Sequence, residues 1–221
     1  MAEAPLMAAR RELIEWFRRH GRRLPWRVRK LTPFQYLVTE KLLQQTTVTH
    51  VLKIYDGFLE RYGEAGALAS ASKRELSEVL RPLGFYNFRA RELVRMARDI
   101  MEKFSGRVPE DLERLKELPG VGEYTAKAVL IAAFGKRLVA VDENLKRLGG
   151  RLFYGVEKAS RRQVEEVERR FLEMMGDADP REFNWALLDL AWAVCKKRPL
   201  CGECPLSRFC RYYSIRGGTR C

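Results

Sequence analysis

Long apolar runs are missing from this chain. Among its 221 residues the longest, 128–134, covers seven positions, whereas a helix crossing a bilayer needs about 20. The first five residues, Met1-Ala2-Glu3-Ala4-Pro5, lack the basic start and apolar stretch of a secretory signal. The expectation is a soluble cytoplasmic protein with no membrane partner. Amides are scarce, with three Asn and four Gln beside 42 Lys+Arg and 29 Asp+Glu. Such charge-rich, amide-poor compositions accompany thermal adaptation. Cysteine is confined to the last 27 residues, as Cys195, Cys201, Cys204, Cys210 and Cys221. A secreted disulfide scaffold would spread its cysteines over the chain. Their clustering points to a reducing compartment and a local metal or iron–sulfur site. Strand-length alternation, internal repeats and low-complexity tracts are also absent.

What the chain has in excess is positive charge, a formal net of +13. That favours a polyanion, most often nucleic acid, with plain solubility as the ordinary alternative. Arginine outnumbers lysine, and its planar fork suits phosphate. Residues 1–30 carry nine Lys+Arg against three Glu, and residues 195–221 carry seven against one. Two flanks of one sign are either solvated faces or one shared DNA-facing surface. With 46% hydrophobic and 32% charged residues, wholesale disorder is excluded.

The periodicity is helical. Leu13, Trp16 and Phe17 share a face, as do Val164, Val167, Phe171 and Met174, and again Phe183, Leu187, Leu190 and Val194. Ser72/Glu75 and Ser160/Gln163 have capping-box spacing. Pro109, followed by Glu110 and Asp111, fits a first helical position. Residues 138–141 read as a connector. The fold class is all-α, with many short helices.

Three motifs carry chemistry. The first is Leu118-Pro119-Gly120-Val121-Gly122 between two helical stretches, the second beginning near Glu123. Pro119 stops the first helix, and Gly120 and Gly122 permit positive φ and close backbone approach. Amides at the second helix's start can then grip a DNA phosphate. An ordinary helix–helix turn is the alternative. The second motif is Asp142, which follows 139–141 and opens a helical pattern. N-capping alone explains it completely. The third is Cys195-x5-Cys201-x2-Cys204-x5-Cys210. Four thiolates at this spacing suit zinc or a [4Fe–4S] cluster, and spacing alone favours zinc.

The hairpin, Asp142 and the cysteines stand in the order found in the helix-hairpin-helix DNA glycosylases, the superfamily of endonuclease III and MutY. The chain resembles that family over roughly residues 10–213. The resemblance implies two helical domains with a DNA cleft between them. These are a six-helix barrel at 28–138 and a discontinuous domain at 1–27 and 139–221 that ends in the cluster loop. It makes Asp142 the catalytic aspartate, able to stabilise the sugar cation or orient water. It assigns DNA binding to Leu118, Gly120, Val121 and Gly122. It also favours a [4Fe–4S] cluster on Cys195, Cys201, Cys204 and Cys210 over zinc, although the family's first gap is usually one residue longer. Cys221 is left over, and a free thiol is expected there.

Tyr124 sorts the family. Bifunctional members carry a lysine at this position, two residues past the second hairpin glycine, and cleave through a Schiff base. Tyrosine cannot form one. The branch with tyrosine here is the thymine–guanine mismatch glycosylases of archaea and some bacteria, which implies a prokaryotic source and use on the nucleoid. Glu40, within Thr39-Glu40-Lys41-Leu42-Leu43-Gln44-Gln45-Thr46, resembles the glutamate that protonates the departing purine in adenine glycosylases. For thymine its role would become hydrogen bonding to the base or water positioning. Gln45 matches the side chain that enters the duplex, and Phe85 the opposing wedge, with core packing as the alternative for Phe85. The resemblance therefore implies a monofunctional glycosylase. It would act as a monomer on double-stranded DNA and remove thymine or uracil opposite guanine after base flipping. The alternatives are a MutY-like adenine glycosylase and a non-catalytic iron–sulfur DNA-binding protein. Gln-Gln-Thr is familiar from MutY. The chain stops eleven residues after Cys210, which leaves no room for MutY's additional C-terminal domain.

Overall fold

The computed structural model describes residues 3–217 and has no β-strand among them. The chain forms two compact units, Leu24–Phe134 and a discontinuous one made of Met1–Arg23 with Gly135–Cys221. The junctions thus follow residues 23 and 134, where the sequence reading places them after 27 and 138. Cys221 lies outside the described residues. No described helix is long and apolar enough to cross a membrane.

The chain opens with α1 (Glu3–His20), whose Leu6, Ala9 and Leu13 are buried on one face. Arg18, Arg19 and His20 end it, where the helix dipole favours cations. The continuous unit then runs through α2 (Pro25–Val28), α3 (Pro33–Leu43), α4 (Val48–Leu52), α5 (Tyr55–Tyr62), α6 (Ala65–Ala69), α7 (Lys73–Leu80), α8 (Tyr86–Phe104), α9 (Leu112–Lys116) and α10 (Glu123–Phe134). The discontinuous unit resumes with α11 (Glu143–Gly149), α12 (Val164–Met175), α13 (Pro180–Ala193) and α14 (Arg211–Ile215).

In the continuous unit α8 packs against α6 and α7, and α3 against α10. The start of α3 is fixed by a full capping box between Thr32 and Gln35, with Pro33 in the first turn. Residues Ala126, Val129, Leu130 and Ile131 of α10 are buried. A helix apolar on most sides must lie inside its unit.

The discontinuous unit packs α1 against α12 and α13, and α11 against α13. Its core holds the stripes read from the sequence: Leu13, then Val167, Phe171 and Met174, then Phe183, Leu187 and Leu190. Asp189 is almost fully buried there and accepts hydrogen bonds from Arg22 N and Nε, both at 2.8 Å. Removing either partner of such a pair leaves a buried charge uncompensated.

Three local expectations are corrected. Ser160 and Gln163 form their capping box, but Ser72 makes no cap bond. Its intended partner Glu75 pairs with Arg61 instead. Pro109 does not begin a helix. Asp111 caps α9, accepting from Arg114 N at 2.9 Å, and the helix starts at Leu112. An acceptor side chain satisfies an orphan amide, which Pro109 cannot do. Finally, Gly120 has φ +67°, whereas Gly122 stays outside the left-handed region.

Candidate active site

The hairpin is built from the inside outward. Leu118 and Val121 are buried, 2% and 5% exposed, while Gly120 and Gly122 face solvent. The two apolar side chains therefore peg the turn to the unit, and its backbone is what a ligand can reach. Val121 N donates to Leu118 O at 3.1 Å, and Ala126 N to Gly122 O at 2.9 Å. Gly120 is favoured by its backbone, and a side chain there would also displace the ends of two neighbouring side chains. Its φ is left-handed, and a Cβ there would stand 2.1 Å from Lys41 Nζ and 2.7 Å from Glu92 Oε2. The buried Lys41 donates to Gly120 O at 2.9 Å, and Gln44 Nε2 donates to the same oxygen at 3.1 Å. Gln44 Nε2 also donates to Thr125 Oγ1 at 3.1 Å. The C-terminal end of α3 is thereby fastened to the hairpin. Glu123, in the first turn of α10, pairs with Lys116 at 3.1 Å and Lys127 at 2.9 Å. Its charge at the start of α10 is thus neutralised.

Tyr124 is the second residue of α10 and is half-buried. Glu40 lies on α3, one turn before the α3 terminus. Its side chain keeps some contact with solvent, but protein surrounds it. Burial pushes its carboxyl up to about 7, against the opposing charge of Arg27. It is the kind of group that exchanges a proton at neutral pH.

Gln45 and Phe85 line one small cavity of the continuous unit, with Lys41, Phe88, Arg89 and Glu92. Both are exposed, Phe85 by 70%. Core packing of Phe85 is therefore excluded. Both also hold left-handed backbone, φ +49° at Gln45 and +50° at Phe85.

Asp142 belongs to the discontinuous unit and caps α11. Its Oδ1 accepts from Asn144 N at 2.9 Å and Leu145 N at 2.8 Å, and its Oδ2 from Asn144 Nδ2 at 2.8 Å. The expected cap is present, and its bonds fix the carboxylate's orientation. Sequence reasoning missed two supporting residues. Asn144 Oδ1 accepts from Arg147 Nη2 at 3.1 Å, and Arg147 also donates to the carbonyls of Ala191 and Cys195. An asparagine at the second position of a capped helix was the available signal. Arg147 gave none, since its partners are distant in sequence.

Cys195, Cys201, Cys204 and Cys210 line one cavity. Cys195, Cys204 and Cys210 are free thiols, whereas Cys201, expected as a fourth thiolate ligand, is disulfide-bonded. Burial pushes the Cys195, Cys204 and Cys210 thiols up, Cys204 to about 12. Among the described residues no three His, Cys, Asp or Glu side chains are gathered to hold a single metal ion. Arg151, 3% exposed, spans the loop. Its Nη1 lies 3.6 Å from Cys195 Sγ and donates to Lys196 O, and its Nη2 donates to Lys197 O and Glu157.

Residues 38–174 match the HhH-GPD superfamily of base excision DNA repair proteins. A thymine-DNA glycosylase of Aeropyrum pernix is 42% identical over 214 residues, covering 94% of this chain and 95% of the relative. A thymine/uracil-DNA glycosylase of Pyrobaculum aerophilum is 38% identical over 211 residues, covering 92% and 91%. The fold superposes on that of a thermostable thymine-DNA glycosylase with a TM-score of 0.89 and 31% identity, over 96% of this chain and 98% of that one. With the hairpin and the capped aspartate in place, the chain belongs to the HhH-GPD superfamily of base excision DNA repair proteins.

Proposed function

We propose that this protein is a monofunctional DNA glycosylase that hydrolyses the N-glycosidic bond of thymine or uracil mispaired with guanine. It would act as a monomer on double-stranded DNA after the base is flipped out. The observation that carries this reading is the Asp142 carboxylate, held as an acceptor by three N–H donors. The similarity to thymine- and thymine/uracil-DNA glycosylases supports the choice of base.

The chemistry follows from the residues. As the bond from C1′ to the base nitrogen breaks, its electron pair leaves with the pyrimidine, and positive charge grows on the sugar. A preorganised carboxylate at Asp142 stabilises that charge. Water adds to C1′, and its proton passes to Asp142 or solvent. Glu40, neutral for about half the molecules near pH 7, donates a hydrogen bond to a carbonyl of the departing pyrimidine. Tyr124 has no amine, so no Schiff base forms at that position. Lys127, one turn further on, is paired with Glu123. The hairpin backbone binds a phosphate, and Gln45 and Phe85 enter the duplex beside the vacated position.

The family resemblance favours a [4Fe–4S] cluster over zinc on Cys195, Cys201, Cys204 and Cys210. Cys195, Cys204 and Cys210 are free thiols on one cavity, and Cys201 would have to be reduced from its disulfide to serve as the fourth ligand. A cluster held there would order the loop carrying Lys196, Lys197 and Arg198. It takes no part in the hydrolysis. A brown protein absorbing near ~400 nm is expected, and a colourless protein with stoichiometric zinc would overturn the cluster assignment.

The function is tested by incubating the protein with duplexes containing G·T, G·U and G·A, followed by alkaline cleavage of abasic sites. Product from G·T and G·U is expected. Product from G·A alone moves the assignment to adenine, and no product at all makes the chain a DNA-binding module. Scission without alkali, trapped by borohydride, contradicts the monofunctional reading.

A further inference from the structure

Arg89 lies in the first turns of α8 and is only 8% exposed. Its three guanidinium nitrogens all go to main-chain carbonyls. Nε donates to Gly84 O at 2.9 Å, Nη1 to Lys41 O at 3.2 Å, and Nη2 to Gln44 O. Lys41 O belongs to the last turn of α3, where carbonyls lack helical partners and favour a cation.

The other two carbonyls are the informative ones. A peptide group is rigid and planar, so the direction of C=O at one residue is tied to φ of the next. Gly84 O belongs to the peptide that enters Phe85, and Gln44 O to the peptide that enters Gln45. These are two of the three non-glycine residues with positive φ among the described residues. A left-handed non-glycine residue is strained and persists only when its surroundings fix it. One guanidinium fixes both, and the two side chains it presents line the same cavity.

We propose that Arg89 is a positioning residue that sets Gln45 and Phe85 as a single two-pronged wedge, so that both enter the duplex in one register. This rests on the reading above that these two side chains enter DNA. Arg89 touches neither the base nor the reacting sugar. Its planar fork spans carbonyls from two separate loops, which the point charge of a lysine cannot do. Loss of the fork lets each prong relax towards ordinary φ independently.

The test uses the full-length protein and a G·T duplex with 2-aminopurine beside the mispaired thymine. Its fluorescence rises when stacking is lost. The wild type is expected to give a clear rise, and R89K less than about half of it. R89K should keep its affinity for a fully matched duplex within about twofold, because the hairpin makes the phosphate contact. In a Q45A/F85A background, R89K should change the signal no further, since residues acting through one another are not additive. A merely structural role would instead reduce both backgrounds alike. Should R89K fail to fold, R89Q, which keeps N–H donors without the buried charge, is measured with the same expected loss. A full rise from the variant, an equal further loss in the double-alanine background, or no rise from the wild type overturns the proposal. The two readings fail separately. If the wild type excises no base yet R89K still abolishes the rise, the wedge role stands and the glycosylase reading falls. If the wild type excises thymine and R89K unstacks normally, the reverse holds.

Discussion

Asp142→Asn is expected to lower single-turnover excision of thymine from a G·T duplex by at least about 10³-fold, the scale of losing a preorganised electrostatic group at the reacting centre. Binding to the same duplex should be retained. The structure makes this substitution a clean one. Asparagine caps a helix about as well as aspartate, and its carbonyl can still accept from Asn144 N and Leu145 N, now at 2.9 and 2.8 Å. What is lost is the negative charge and the second acceptor, which takes Asn144 Nδ2 at 2.8 Å. The stability of α11 should therefore change little while the chemistry fails. Excision within tenfold of wild type would remove Asp142 from the reaction. Loss of binding and of thermal stability together would reduce it to a helix cap.

Glu40→Gln is expected to reshape the pH dependence. Burial pushes the Glu40 carboxyl up to about 7, so its neutral, hydrogen-bond-donating form is lost as pH rises through 7. The wild-type single-turnover rate should fall towards tenfold per pH unit above that point. The glutamine variant keeps a donor that does not ionise. Its rate should be lower at pH 6, by about 10- to 100-fold, and flat across the same range. A wild-type rate that climbs through pH 7 would make Glu40 a base or water-positioning carboxylate instead. Linkage gives an independent check. A carboxyl raised in the folded state binds protons more tightly there than in the unfolded chain. Its stabilising contribution is present at low pH and is lost as pH rises through about 7. The melting temperature of E40Q relative to wild type should therefore increase from pH 5 to pH 8.

Both predictions begin with residues visible in the sequence, but at different depths. Asp142 is local information, because a cap bonds amides two and three residues ahead. Its partners could be named from the sequence once the helix was placed. Glu40 is not local. Its motif fixes its place on α3 but not what surrounds it, and only the enclosing protein raised its carboxyl. Phe85 was ambiguous for the same reason. A phenylalanine after glycine fits a core or a wedge equally, and its 70% exposure decides the matter. Pro109 and Ser72 show the limit of local rules. Each matched a helix-start pattern, and Asp111 and Arg61 provided better-placed partners.

The sequence by itself determined the helical class, the hairpin, the capped aspartate and the cysteine spacing. Each rests on interactions within a few residues, or on a periodicity that any helix imposes. The tertiary structure alone decided which side chains serve the site from afar. Lys41 reaches Gly120 across 79 positions, Arg89 reaches Gln44 across 45, and Arg147 reaches Cys195 across 48. A long basic side chain reads as solvated surface until the fold offers it a carbonyl. Its choice of partner is set by desolvation and geometry, and neither exists before the chain is packed.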